Sequence, residues 1–128
     1  MLKYKFYKWA PSTNEYLKVK IEKPYDYLSM IFEGNETSNQ IQNHINKIKN
    51  VLNGNPDIDY SIENQSGFIG YAFAPDDTET EYPEGGFQVF DFFTADKKGN
   101  TKELFIISLQ EILNFLEDFN IFLIKNNR

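Results

Sequence analysis

Alternation of apolar and polar residues predicts two strands near the start of the chain. Over residues 2–6 every second position is large and apolar, after which the phase shifts so that Tyr7 and Trp9 become the large residues. This shift predicts a first strand with a bulge or twist near its end. Residues 17–21 alternate cleanly and predict a half-buried second strand. The periodicity of residues 25–33, YDYLSMIFE, does not decide between a short helix and another strand.

Two helices are predicted from capping boxes that precede apolar stripes. Thr37 and Gln40 fit a T-x-x-Q capping box, and Gly54 is placed to end the helix that follows. Its stripe has spacings of four, three and four: Ile41, Ile45, Ile48 and Leu52. Ser108 and Glu111 form a second capping box near the end of the chain. One face of the helix that follows is lined by Leu109, Ile112, Leu113, Leu116 and Leu123.

The middle of the chain predicts further strands. Residues 58–63 alternate, and after a turn residues 68–74, FIGYAFA, carry bulk on both faces, as in a central strand. Residues 87–94 and 103–107 predict two more strands. Five or six mostly antiparallel strands with two amphipathic helices on one face predict the α+β class. We expect one sheet in a single domain that spans residues 1–128.

Composition excludes several classes of protein. The chain of 128 residues is 41% hydrophobic and 16% aromatic, which is too apolar for a wholly disordered chain. It contains no cysteine, so disulfides, thiol nucleophiles and zinc–thiolate sites are excluded. No apolar run approaches the roughly 20 residues of a membrane span, and the first residues lack the apolar stretch of a signal peptide. We therefore expect no membrane-spanning segment and no membrane partner.

The charges are unevenly distributed. Residues 50–96 contain ten acidic side chains and no lysine or arginine, whereas the formal net charge of the whole chain is −6. Five of these acids surround Tyr82 in the sequence DDTETEYPE: Asp76, Asp77, Glu79, Glu81 and Glu84. A concentrated acidic patch attracts a basic partner and repels nucleic acid, although acidic loops also simply keep proteins soluble. We expect no nucleic-acid partner.

Few residues are candidates for catalysis, and no cofactor or metal is expected. His44 is the only histidine, which is too few for a catalytic triad or a histidine-based metal site. The alternating Asn and Asp of residues 53–59 lack the glycine and glutamate that an EF-hand loop requires. Asp91 lies within an aromatic strand, where half-burial would raise the pKa of its carboxyl group. Asp91 is either such an acid or a residue that faces solvent or binds a backbone amide.

The end of the chain resembles a known group of proteins. A strand followed by ISLQEILNFLEDF (residues 107–119) is similar to the C-terminal part of immunity proteins from bacterial polymorphic toxin and contact-dependent growth inhibition systems. The resemblance covers residues 87–123 and assigns no particular family. It implies a cytoplasmic protein that binds the toxin domain of a cognate effector and blocks its active site. Such toxins are often basic nucleases, so the resemblance makes residues 57–96 the complementary acidic surface.

Two hypotheses of different classes follow. The first is a binding inhibitor without catalysis, in which the five acids of residues 76–84 attract the partner and Tyr82, Tyr71 and Tyr60 supply contact area. The second is a small-ligand-binding or hydrolytic domain with an aromatic cleft around Asp91, in which Asp91 or Glu63 is the acid. A DNA mimic shares the acidic surface, but acids clustered in a loop fit it poorly. The sequence leaves the oligomeric state open.

Overall fold

The computed structural model describes residues 2–32, 35–54, 60–63, 67–75, 82–92 and 102–128. Within these residues the chain forms six strands and three α-helices, which confirms the α+β class. In chain order the elements are β1 (Tyr4–Trp9), β2 (Tyr16–Ile21), a 3₁₀ turn (Tyr25–Tyr27), α1 (Leu28–Ile31), α2 (Ser38–Leu52), β3 (Tyr60–Glu63), β4 (Phe68–Phe73), β5 (Gly86–Asp91), β6 (Lys102–Ile107) and α3 (Leu109–Lys125).

The strands form two antiparallel sheets, so the expectation of a single sheet of five or six strands is wrong. β1 pairs only with β2, and the other four strands have the order β3-β4-β5-β6, which confirms the central position of β4. The two-stranded ribbon buries its apolar face on α3 instead of joining the larger sheet. The ring of Phe6 stacks on those of Phe119 and Phe122, with centroids 5.4 and 5.3 Å apart. This face-on packing buries the ribbon without edge-to-edge hydrogen bonds.

The ribbon is regular, and the predicted bulge in the first strand is wrong. Its register runs without interruption from the pair Tyr4–Ile21 to the pair Trp9–Tyr16. The apparent phase shift in the sequence arises because Tyr7 and Trp9 are large residues on the solvent side of the strand. Size alone therefore misidentifies the buried face of this strand.

The two predicted capping boxes differ in the structure. At the start of α2, the Thr37 hydroxyl accepts from the amide of Gln40 and the Gln40 side chain accepts from the amide of Thr37, which confirms this box. At the start of α3, the Ser108 hydroxyl accepts from the Glu111 amide at 3.0 Å. The Glu111 carboxylate, however, accepts from the Leu2 amide at 3.3 Å. This side chain therefore ties the beginning of the chain to the last helix.

The core is organised around α3. Its predicted apolar stripe is buried, and Phe115 and Phe119 add two further rings that are fully shielded from solvent. The segment whose periodicity was ambiguous forms the 3₁₀ turn and α1, and it places Phe32 against Phe115 with centroids 5.7 Å apart. The buried apolar side chains form one cluster with those of α2 and the larger sheet. No described helix combines the length and apolarity needed to cross a membrane.

Two glycines in the larger sheet leave room for aromatic rings, one on each face. A Cβ atom at Gly70 would lie no more than 3.0 Å from three ring atoms of Phe87, which is fully buried. A Cβ atom at Gly86 would lie 3.1 Å from the ring of Phe73. The absence of side chains at these positions therefore allows the rings to lie flat on the sheet.

Replacing Gly70 by alanine should destabilise the protein by about 1–3 kcal/mol, since the added methyl group overpacks a filled interior. Because the clash is with the ring of Phe87, the double variant Gly70→Ala/Phe87→Leu should lose less stability than the two single variants together. Urea unfolding of the wild type, both single variants and the double variant measures this coupling. Strict additivity would contradict the contact.

Candidate functional site

The four-stranded sheet buries one face against the helices and presents large side chains on the other. On β4, Gly70 and Ala72 are buried, whereas Ile69, Tyr71 and Phe73 alternate onto the second face and are half-buried. The cross-strand register extends this second face over the other strands. We define the outer sheet face as Ser61, Glu63, Ile69, Tyr71, Phe73, Gln88, Phe90, Glu103 and Ile106.

An aromatic cluster lies at one end of the outer sheet face. The ring of Phe73 stacks on that of Tyr71, with centroids 6.3 Å apart, and meets the ring of Tyr82 edge-on at 6.2 Å. A tight turn holds Tyr82 there, because the amide of Gly85 donates to the Tyr82 carbonyl at 3.1 Å. Gly85 has φ +78, and a Cβ atom on it would lie 2.6 Å from the carbonyl oxygen of Phe73, so this position requires glycine.

Carboxylates lie on the same sheet face as this cluster and in the turn beside it. Glu63 and Glu103 lie on the outer sheet face, and the Glu103 carboxylate accepts from the side-chain amide of Gln88 at 2.8 Å. Glu84 is exposed in the turn beside the cluster. Since the chain has no lysine or arginine over residues 50–96, β3, β4 and β5 carry no basic side chain. The described part of this surface is therefore aromatic and negatively charged.

The structure places some of the predicted contact residues close together and another on the opposite face of the sheet. Tyr71 and Tyr82 meet through Phe73, with Glu84 in the same turn, whereas Tyr60 lies on the helix-facing side of the sheet. Its hydroxyl is 2.6 Å from Nδ1 of His44. Four of the predicted acids lie outside the described residues: Asp76, Asp77, Glu79 and Glu81.

On β4 and β5, sequence reasoning missed three apolar members of the outer sheet face: Ile69, Phe73 and Phe90. Alternation within β4 and β5 identifies them only after it is known which residues of these strands face the helices, because every second residue then lies on the outer sheet face. Because both faces of β4 carry large side chains, periodicity alone does not show which face meets the helices.

A cleft of about 650 Å³ separates the first half of α2 from the edge strand β3. Its floor is apolar, and its walls carry amides and carboxylates: Asn39, Gln40, Asn43, Glu36 and Glu63. His44 reaches this cleft from α2, and its ring meets that of Phe32 at 6.2 Å.

The His44–Tyr60 pair in this cleft is neutral near pH 7. Burial lowers the pKa of His44 and raises the pKa of Tyr60. Nδ1 of the imidazole hydrogen-bonds to the Tyr60 phenol, so this ring nitrogen is paired with a hydroxyl that is itself neutral. Among the described residues, no group of three or more acids and histidines is arranged to hold a metal ion.

Asp91 lies away from this cleft. It is half-buried at the end of β5, where it pairs with Phe68 of β4 and Lys102 of β6. It lines neither the cleft between α2 and β3 nor the two smaller cavities beside α3. Glu63 does line the larger cleft. None of these three cavities, which are formed by described residues, is therefore centred on Asp91.

The lowered pKa of His44 predicts a pH-dependent stability. Below the unfolded-state pKa of about 6.5, the unfolded chain binds a proton more readily than the folded protein does, so the free energy of unfolding should fall as the pH drops from about 7 to about 5. The variant His44→Gln should lose this part of the pH dependence. Urea unfolding of both proteins across this pH range measures it, and a wild-type-minus-variant difference that does not change with pH would refute the effect.

Comparison with known proteins does not assign a function, so the proposal below is based on the chemistry of the described surfaces and on the C-terminal resemblance. No protein-family model, no curated protein and no solved structure matches this chain.

Proposed function

We propose that this chain is a non-catalytic immunity protein that binds and neutralises a cognate, basic toxin domain in the cytoplasm. The observation that carries the proposal is the outer sheet face, which carries carboxylates on the same side as an aromatic cluster. The resemblance of the C-terminal strand and helix to immunity proteins supports the same class.

The aromatic cluster has the chemistry of an interface centre. Tyrosine is enriched among the residues that dominate binding energy, because it offers a large, rigid contact area with a polar hydroxyl. Tyr82 is 37% exposed, and Tyr71 and Phe73 are half-buried beside it. A partner that covers this cluster removes their remaining apolar surface from water.

The acidic residues provide attraction over a longer range. Residues 76–81 lie between Phe73 and Tyr82 in the sequence. The four carboxylates of this segment are therefore close along the chain to two members of the aromatic cluster. Electrostatic steering of this kind raises association rates by about 10- to 1,000-fold at low ionic strength. A nuclease presents a positive surface to its phosphate substrate, and an acidic protein face bound there excludes that substrate.

Replacing the tyrosines tests the contact surface. Tyr71→Ala and Tyr82→Ala should each weaken binding to the basic toxin domain that co-purifies with this protein from its native host, by about 30-fold if they lie at the interface centre. Calorimetric titration measures the affinity. Tyr16→Ala is the matched control, since Tyr16 is 38% exposed but lies on β2, outside the outer sheet face. Equal losses for Tyr16→Ala and Tyr82→Ala, or no loss for either, would count against the outer sheet face.

Neutralising the acidic segment tests the steering. The variant with asparagine or glutamine at residues 76, 77, 79 and 81 should associate more slowly with the same toxin domain at low salt and approach the wild-type rate at high salt, where charges are screened. Stopped-flow fluorescence measures both rates. An association rate at low salt equal to that of the wild type would show that these carboxylates do not guide the partner.

A further inference from the structure

The solvent side of the two-stranded ribbon carries a second, chemically opposite surface. Its cross-strand pairs are Lys5–Lys20, Tyr7–Lys18 and Trp9–Tyr16. We call these six residues the ribbon face. The opposite side of the same two strands holds the residues that pack on α3, so the ribbon face takes no part in the core.

The aromatic rings of the ribbon face are unusually accessible. Trp9 is 49%, Tyr7 41% and Tyr16 38% exposed. The rings of Trp9 and Tyr16 form a tilted cross-strand pair with centroids 5.5 Å apart. Large aromatic side chains usually bury most of their surface, so three of them on one small solvent face indicate a contact surface.

The lysines of the ribbon face have no acidic partners within the described part of the chain, where the ion pairs are Lys8–Glu15 and Lys49–Glu117. Lys5 and Lys20 lie directly opposite each other, an arrangement of like charges that destabilises a sheet. The Nζ atom of Lys18 lies 5.9 Å from the ring centroids of both Trp9 and Tyr16. An anionic ligand would relieve this repulsion.

We propose that the ribbon face binds single-stranded nucleic acid. Exposed ring faces stack on bases, and neighbouring ammonium groups pair with phosphates, which is how sequence-tolerant single-strand binding works. The rings gather at the end of the ribbon formed by Trp9 and Tyr16, and the ammonium groups extend from Lys18 to the end formed by Lys5 and Lys20. A strand that lies along the ribbon face therefore meets both rings for its bases and positive charges for its phosphates. The expectation of no nucleic-acid partner arose from residues 50–96, which contribute nothing to this face.

Trp9 provides a direct measurement, because it is the only tryptophan in the chain. Titration with the single-stranded oligonucleotide dT12 should quench its fluorescence, and anisotropy of labelled dT12 should report the same dissociation constant. Three phosphate contacts predict that the logarithm of the binding constant falls with the logarithm of salt concentration with a slope of about −2.

Variants separate stacking from simple charge attraction. Trp9→Ala should weaken dT12 binding at least about fivefold by loss of one stacked base. The triple variant Lys5→Gln/Lys18→Gln/Lys20→Gln should weaken it further and flatten the salt dependence. Lys47→Gln, an exposed lysine on α2, and Tyr82→Ala on the other surface are controls that should bind as the wild type does. Unchanged circular dichroism shows that each variant is folded.

Three results would overturn the proposal. One is the absence of dT12 binding at low salt. Another is binding that Trp9→Ala leaves unchanged, which would show charge attraction without stacking. The third is quenching of Trp9 by poly-glutamate but not by dT12, which would identify an acidic protein segment as the ligand. None of these results depends on the toxin-binding surface, so the two proposals succeed or fail separately.

Discussion

The burial of α3 against two separate sheets is the constraint on which the rest of the structure depends. Phe115 and Phe119 are fully buried, and both rings contact Phe6 of the ribbon and Phe32 beside α1. The same helix shares its core with α2 and the four-stranded sheet. A helix with a single apolar stripe can bury that stripe against only one sheet or helix. The rings of Phe115 and Phe119 widen the apolar surface of α3, so that the ribbon packs on it as well. The hydrogen bond from the Leu2 amide to the Glu111 carboxylate attaches the segment that precedes β1 to α3.

Among the described residues, each sheet has one face that does not pack on the helices, and these two faces carry opposite charge. On the outer sheet face the described charged side chains are carboxylates, and on the ribbon face they are lysines. Both combine the charge with tyrosine or other aromatic rings, which supply contact area in addition to long-range attraction. Keeping the strands in two sheets separates these charges, whereas a single continuous sheet would bring lysines and carboxylates closer together on neighbouring strands.

The candidate site was predictable only in part. The sequence predicts Tyr71 and Tyr82 as contact residues and locates the acidic segment, because charge runs and turn residues are local features. It also grouped Tyr60 with them, but Tyr60 lies opposite Ala72 of β4 and therefore on the other face of the sheet from Tyr71. Phe73 and Gly85, which hold Tyr71 and Tyr82 together, carry no distinctive sequence signal because their role depends on contacts between β4 and the following turn.

What the sequence by itself determined was local: the capping of α2, the alternation of the strands, the order of the elements and the uneven distribution of charge. These features depend on neighbouring residues and on backbone hydrogen bonds that close within a few positions. Tertiary structure alone decided that six strands divide into two sheets, that Trp9 faces solvent, and that Asp91 lies apart from the main cleft. These three features depend on which face of each sheet packs against the helices. Contacts between residues about a hundred positions apart in the chain determine that packing, and local sequence patterns do not reveal them.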